Sequence, residues 1–245
     1  MFKSERQNKI IEILKERDYA SVRLLCSLLF ASEPTIRRDL TALEQEGIIR
    51  RSHGGAILVR DEISRPLAFR KEVMQAEKRK IAQKAAELIP QGAVLFIDAS
   101  TTAGHLIPLL KGKDITVITN GLATLNLLQE QKIKAKCIGG DLLHSSMCFA
   151  GRSAERFLEE LHADLLFFSI SCLNEFGEIT DYSEEEIYLR KVMLQHAKKR
   201  ILLLDHTKFQ KTATFRLCTL KEIEGIITDL PKIPACPDSC QWITV

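Results

Sequence analysis

Long hydrophobic runs are missing from this chain. None of its 245 residues lie in an apolar stretch near the roughly eighteen that a membrane span needs. The opening M-F-K-S-E-R-Q-N-K is charged and has no apolar signal core, so the chain is expected to stay in the cytosol and to have no membrane partner. A disulfide framework is missing too. The seven cysteines (Cys26, Cys137, Cys148, Cys172, Cys218, Cys236, Cys240) are odd in number and widely spaced. Cys137 and Cys218 fall in apolar strand-like segments, where a thiol serves as a small buried hydrophobe. Cys236 and Cys240 form one C-x3-C with no second ligand pair nearby, so no metal and no cofactor is expected. There is no internal repeat and no low-complexity tract. Charge of one sign is scarce overall, with a net of only +3.

That small excess is localised. Residues 1–60 hold 11 Lys+Arg against 8 Asp+Glu, whereas residues 61–245 hold 24 of each. The whole positive excess sits in the first quarter of the chain, which favours nucleic acid as a partner of that quarter. Length fits two domains, and the 27% charged residues are ordinary for a soluble globular chain.

Residues 32–47, S-E-P-T-I-R-R-D-L-T-A-L-E-Q-E-G, read as a helix with one oily face. Ser32 stands at the N-cap, Pro34 in the first turn and Gly47 at the C′ position. Ile36, Leu40 and Leu43 make the apolar stripe, while Pro34, Arg37, Arg38, Thr41 and Gln45 lie opposite. An arginine face of this kind suits a DNA major groove, where guanidinium pairs bidentately with guanine or holds phosphate. The bland alternative is a solvated surface helix.

The flanks favour the groove reader. Residues 5–17 are amphipathic, with Ile10, Ile13, Leu14 and Ile11 as candidate buried positions. Residues 22–29 form a short second helix, and only Phe30 and Ala31 separate it from Ser32. Helix, short helix, tight turn and helix is helix-turn-helix order. Then I-I-R-R-S-H-G-G-A-I-L-V reads as two strands around His53, a wing that carries Arg50, Arg51 and His53 beside the phosphates. The expected DNA-facing set is Ser32, Pro34, Thr35, Arg37, Arg38, Thr41, Gln45, Arg50, Arg51 and His53, in a domain over residues 1–60.

Residues 61–76 read as a charged linker leading into a helix over 75–89. From residue 77 to 245 the pattern is α/β. Strands end at Asp98, Thr119-Asn120, Gly139-Gly140, Ser169, Asp205 and Asp229, with helices expected over 104–110, 122–131, 153–161 and 184–199. Strands with continuous apolar content are buried on both faces, which predicts a mostly parallel sheet flanked by helices. Ligands of such sheets bind beyond the carboxyl ends of the strands. There the sequence places the hydroxyls of Ser100, Thr101 and Thr102 at a helix start, then Thr119 and Asn120, then Gly139 and Gly140, and finally Lys208. Hydroxyls, a lysine and free N–H groups suit a phosphate or polyol. Each feature singly has a structural explanation as a cap, turn or bend.

The segments E-R-Q-N-K-I-I-E-I-L, T-I-R-R-D-L-T-A-L-E-Q-E-G-I-I-R-R, H-G-G-A, V-L-F-I-D-A-S-T-T, V-I-T-N-G, C-I-G-G, F-A-G-R, E-F-G-E-I-T-D and L-L-L-D-H-T-K-F occur in an order that resembles the DeoR-type bacterial regulators of sugar metabolism. The resemblance implies a winged helix-turn-helix followed by a sensor domain similar in fold to sugar-phosphate isomerases. By position it carries the ligand loop to Asp98, Ser100, Thr101 and Thr102, the second strand end to Thr119 and Asn120, the glycines to Gly139, Gly140 and Gly151, and the lysine to Lys208. Ser100 stands where the family usually has glycine, glycine is also usual near Ser169 and Ser171, and Arg190 stands where the family usually has lysine; Ser171 and Arg190 complete the expected effector-binding set. R-L-L-C-S-L-L-F replaces a smaller, more acidic pattern in the second helix.

The function expected from the sequence is a DNA-binding regulator, a repressor of a sugar-utilisation operon. A phosphorylated sugar or related metabolite would control its hold on a double-stranded operator, and the chain would act as a homodimer or homotetramer. The alternative is a sugar-phosphate isomerase-like enzyme with a DNA-binding appendage, in which Asp98, Glu186 and Lys208 would supply acid, base and anchor.

Overall fold

Apolar residues at helical spacing build the first unit, Met1–Arg70, of a chain that divides in two. The computed structural model describes residues 2–17, 19–46, 48–52, 54–58 and 67–245. Helix α1 (Lys3–Arg17) buries Ile10, Ile11 and Leu14, with Ile13 only partly covered. Helix α2 (Val22–Leu29) is capped by the Ser21 hydroxyl, which accepts from the Leu24 N–H at 3.1 Å. It ends at Phe30, whose φ of 50° lies in the left-handed region. Helix α3 (Glu33–Gln45) follows after the tight turn. Strands β2 (Ile49–Ser52) and β3 (Gly55–Leu58) form the wing hairpin. A third strand, β1 (Tyr19–Ser21), pairs with β3, with Ala20 opposite Ala56. Three residues between two helices carry no strand periodicity, so this one was not legible in the sequence. Gly47 and His53 lie outside the described residues.

Within the expected linker, α4 (Leu67–Glu72) is helical, and α5 (Gln75–Ala86) begins where the sequence places it. The second unit, Lys71–Val245, is built on a seven-stranded parallel sheet. Its strands are β4 (Val94–Ile97), β5 (Thr116–Thr119), β6 (Lys134–Cys137), β9 (Ala163–Phe168), β12 (Ala197–Leu204), β14 (Gly225–Thr228) and β15 (Gln241–Thr244), in the order β15-β14-β12-β9-β4-β5-β6. Alternate residues feed two cores. Leu95, Ile97 and Val117 pack with Ile81, Ala82 and Ala85 of α5 and Leu128 of α7 (Leu122–Glu130). Phe96, Leu166 and Phe168 face Ala154 and Leu158 of α8 (Arg152–Glu159) and Ile187 and Met193 of α9 (Glu184–Gln195).

Several boundaries differ from expectation. The helix expected over 104–110 is two pieces, α6 (Thr101–Gly104) and a 3-10 turn at Ile107–Leu110, because Ser100 caps three residues earlier than the sequence suggested and Pro108 interrupts the second half. The helix expected to run to residue 199 stops at Gln195, since Ala197 already pairs with Ala163 in the sheet. Strand β6 is exposed along its whole length, being an edge strand, so Cys137 is exposed rather than buried; Cys218 is buried. A hairpin of β7 (Asp141–Leu143) and β8 (Cys148–Ala150) was also missed. So was an antiparallel sheet of β10 (Cys172–Leu173), β11 (Glu178–Asp181) and β13 (Phe215–Thr219). No described helix is long and apolar enough to cross a membrane.

A candidate DNA-reading helix and a charged strand edge

In the first unit the rotation of α3 is fixed twice. Ile36, Leu40 and Leu43 are essentially fully buried. Each contributes about 1.5–3 kcal/mol of burial, far more than any helix-propensity difference. Asp39 lies on the same face, 2% exposed, and accepts from Arg6 of α1 at 2.5 and 3.3 Å. That forked pair ties α1 to the buried side of α3 and turns the opposite face outward. Pro34, Arg37, Arg38, Thr41 and Gln45 are exposed there, and Thr35 is half-buried. Ser32 occupies the N-cap with extended backbone, but its hydroxyl pairs with that of Thr35 at 2.8 Å instead of capping an N–H. Arg37 donates to Glu33 at 2.6 and 2.8 Å, an exposed i,i+4 pair worth a few tenths of a kcal/mol and easily exchanged for phosphate. Thr41 donates to the Arg37 carbonyl at 2.9 Å. Among the described residues Arg38 has no ion-pair or hydrogen-bond partner. Arg51 is exposed on the wing, with its N–H on Glu44 at 3.0 Å. The backbone places Arg50 on the same strand.

In the second unit the sheet reverses its winding between β4 and β9. From β4 the chain moves outward through β5 to β6, and from β9 it moves the other way through β12 and β14. The crevice at the carboxyl ends of such a pair is where doubly wound folds hold ligands. Asp98, 1% exposed, leaves β4 here. One of its oxygens accepts from the Ser100 N–H at 3.1 Å; the other accepts from the Ser169 N–H at 3.3 Å and from Arg190 at 3.0 Å. Arg190 also donates to Asp181 at 2.9 Å and to Glu186 at 2.8 Å. Burial pulls the Arg190 guanidinium down, but Glu186, Asp181 and Asp98 outweigh it and hold the group charged. Ser171 donates to Asp181 at 2.6 Å.

Two lysines complete this edge. Lys208 donates to Ser169 Oγ at 2.8 Å and lies 4.0 Å from Asp205. Lys78 of α5, 3% exposed, donates to Thr101 at 3.1 Å. Burial raises the Asp205 carboxyl, but Lys208, Thr207 and Lys78 prevail and hold it below the usual carboxylate range. Ser100 Oγ accepts from the Ala103 N–H at 3.2 Å, so that donor of the one-turn helix α6 is already occupied. Thr102 Oγ1 and Asn120 Oδ1 are buried and have no hydrogen-bond partner. Such groups cost about 1–3 kcal/mol each unless something satisfies them.

Asp98, Ser100, Ser171, Arg190 and, through Ser169, Lys208 are thus joined in one hydrogen-bonded network, and Thr101 pairs with Lys78. Thr119 and Asn120 stand apart from it. Thr119 accepts from the Gly121 N–H at 3.1 Å, and Asn120 donates to the Phe149 carbonyl at 3.0 Å. Gly140 (φ 110°) and Gly151 (φ 93°) serve the β7–β8 hairpin, where added Cβ atoms would lie 2.4 Å from the Ala150 carbonyl and 2.6 Å from Asp141. Gly139 faces open space. Lys78 and Asp181 were not expected from the sequence as members of the site; Ser169 and Asp205 appeared there only as strand ends, and Glu186 only in the enzyme alternative. Lys78 had left a signal: it sits on the 78-81-82-85 apolar stripe of α5, where a lysine needs a reason. Two open clefts of about 600 and 520 Å³ lie along the antiparallel sheet, and no residue of this edge lines either.

His206, beside Lys208, contacts Asp229 through Nδ1 at 2.5 Å and through its N–H at 2.7 Å. The Asp229 hydrogen bond raises its pKa above the ordinary 6.5. The charged pair is therefore complete below about pH 6.5 and its stabilisation is lost as pH rises through the shifted value. NMR titration should find the His206 pKa above 6.5, and Asp229→Asn should return it to the ordinary range. An unshifted His206 in the unmodified protein would contradict the pairing.

A helix-turn-helix joined to an α/β unit with a charged strand edge is the build of a ligand-responsive transcriptional regulator. The comparisons agree. A family model described as the DeoR-like helix-turn-helix domain matches residues 6–62, and one described as the DeoR C terminal sensor domain matches residues 73–230. The chain belongs to the DeoR family. It is 35% identical over 96% of its length to 92% of an uncharacterized HTH-type transcriptional regulator, YulB, of Bacillus subtilis. It is 36% identical over 94% of its length to 91% of the HTH-type transcriptional regulator GolR of Listeria innocua. It is 30% identical over 94% of its length to 92% of the glycerol-3-phosphate regulon repressor of Escherichia coli. Among solved structures, ribose 5-phosphate isomerase A from Methanocaldococcus jannaschii overlaps 56% of each chain, with 17% identity and a TM-score of 0.43. The protein is a DNA-binding transcription regulator and not an isomerase. Asp98, the acid of the enzyme alternative, has both oxygens engaged by backbone and Arg190.

Proposed function

We propose that the protein represses a sugar- or polyol-utilisation operon and that a phosphorylated sugar or related metabolite, bound at the carboxyl edge between β4 and β9, sets its operator affinity. The observation that carries this reading is the pair of buried, unsatisfied oxygens on Thr102 and Asn120, at strand ends of the same sheet edge that bears Lys78 and Lys208. A ligand with hydroxyls and a phosphate supplies donors to the first and charge to the second. Ser100, Thr101, Thr102, Asn120 and Lys208 contact it; Gly140, Gly151 and Thr119 keep the surrounding loops in place. Arg37, Arg38, Thr41 and the wing arginines contact DNA as a homodimer or homotetramer, because two recognition helices must match half-sites about one helical turn or a multiple apart. An effector that prefers one arrangement shifts the DNA-bound population.

Thermal denaturation of the full chain against phosphorylated sugars and their unphosphorylated counterparts tests the reading. A true effector at 100 times its Kd adds about 2.7 kcal/mol, which raises Tm by roughly 5–10 °C. A panel in which only unphosphorylated compounds shift Tm would contradict it.

A further inference from the structure

The turn between β10 and β11 holds an aromatic ring in solvent. Phe176 is 76% exposed, yet the backbone that carries it is thoroughly tied. Buried Asn174 organises the turn. Its Oδ1 accepts from the Phe176 N–H at 3.1 Å and the Glu178 N–H at 2.9 Å, and its Nδ2 donates to Glu178 at 2.8 Å. The Gly177 N–H donates to the Asn174 carbonyl at 3.1 Å, and the Gly177 carbonyl accepts from the Leu220 N–H at 2.9 Å. Gly177 has a φ of 80°, a conformation that costs glycine little. The ring therefore stands on a fixed backbone, and covering it costs little further ordering.

Beside the ring lies the cleft of about 600 Å³. Phe176, Gly177, Leu220 and Ala235 give it an apolar lining, and Glu178, Arg216 and Lys221 give it charge. Arg216 lies 4.0 Å from Glu178, whereas exposed Lys221 has no ion-pair or hydrogen-bond partner among the described residues. Lys221 also lines the second cleft, so the two clefts share it. The acid nearest to it in sequence, Glu222, is engaged by the N–H and hydroxyl of Thr219 at 2.7 and 3.0 Å. Next to the ring in sequence, Glu175 is exposed and is likewise unpaired among the described residues. A single exposed phenylalanine is ordinary. A fixed one beside an apolar cleft, with unpaired charges of both signs on the same face, is complementary to itself. A two-fold axis would set each ring in the other copy's cleft and each Glu175 against the other copy's Lys221, and such a contact closes on itself.

We infer that this face is where two copies of the chain meet, with Phe176 of each seated against Leu220 and Ala235 of the other and Glu175 paired with Lys221 across the axis. The inference rests on the reading that the chain works as a homodimer or homotetramer, and it gives that assembly one of its contacts.

Sedimentation velocity of the full chain over roughly 1–100 μM tests it. Phe176→Asp should lower the assembly by one step, tetramer to dimer or dimer to monomer. The dissociation constant of that step should rise about thirtyfold or more, because an aromatic anchor is lost and a charge stands in its place. The side chain is exposed, so far-UV circular dichroism should match that of the unmodified chain. The charges give a reading that a structural effect does not mimic. Glu175→Lys and Lys221→Glu should each weaken self-association about fivefold or more. An equimolar mixture of these two variants should restore it to within about threefold of the unmodified chain, since both charge pairs are then rebuilt in reverse between unlike copies. A mixture that associates no more tightly than either variant alone would overturn the interface. So would Phe176→Asp that assembles like the unmodified chain, which would put the contact elsewhere and leave the oligomer reading standing. An unmodified chain that stays monomeric throughout would overturn the oligomer reading and this contact together.

Discussion

Replacing Arg190 with leucine destabilises the sensor unit by about 3–5 kcal/mol and lowers its Tm by roughly 6–20 °C. Arg190 is 4% exposed, and each of its three nitrogens donates to a different carboxylate on a different element. Asp98 leaves β4, Asp181 ends β11 and Glu186 stands in the first turn of α9, so the one side chain joins the parallel sheet, the antiparallel sheet and a helix. Removing it strands three acids in a site with little water. Arg190→Lys keeps the charge but not the fork, so it cannot serve three partners at once and should fall between the two. Calorimetric unfolding of both variants checks this. A leucine variant as stable as the unmodified chain would mean that the triad adds nothing beyond what apolar packing supplies.

Arg38→Ala weakens operator binding by about 1–3 kcal/mol, a loss of roughly five- to 150-fold, without unfolding the first unit. The side chain is exposed and unpartnered among the described residues, so its loss changes stability by no more than about 0.5 kcal/mol. Arg37→Ala should cost less, since DNA must first displace Glu33 from that guanidinium. Comparing operator with random duplex separates the two roles. A base contact loses specificity, whereas a phosphate contact loses affinity evenly and lowers the salt slope by about one. Unchanged affinity in Arg38→Ala would mean that α3 does not present this face to the groove.

What was legible in the sequence follows from period. The α2 and α3 helices, the parallel strands and the polar strand ends appeared because apolar spacing and turn chemistry are local. Strand β1, the hairpin of β7 and β8 and the antiparallel sheet were hidden, because strands of two to five residues are too short to show a period, and β1 and β11 also pair with partners some forty residues away. The partners of the buried charges were hidden for a related reason. Asp39, Lys78 and Arg190 each sit on the apolar stripe of an otherwise ordinary helix, beside Ile36 and Leu40, Ile81 and Ala82, and Ile187 and Leu194. A charge on a buried stripe announces a partner without naming it: Arg6 is 33 residues from Asp39, and Asp98 is 92 from Arg190.

The central claim is that occupancy of the strand edge controls the hold on DNA. Its most direct test is fluorescence anisotropy of an operator duplex, selected by the protein from random sequence and titrated with the unmodified chain and with Lys208→Ala, each with and without the phosphorylated compound that raises Tm. The account predicts equal DNA affinity for the two proteins without the compound, and a shift of about five- to 150-fold on adding it for the unmodified chain only. A full shift in Lys208→Ala, or a compound that binds the unmodified chain and leaves its DNA affinity unchanged, would contradict it.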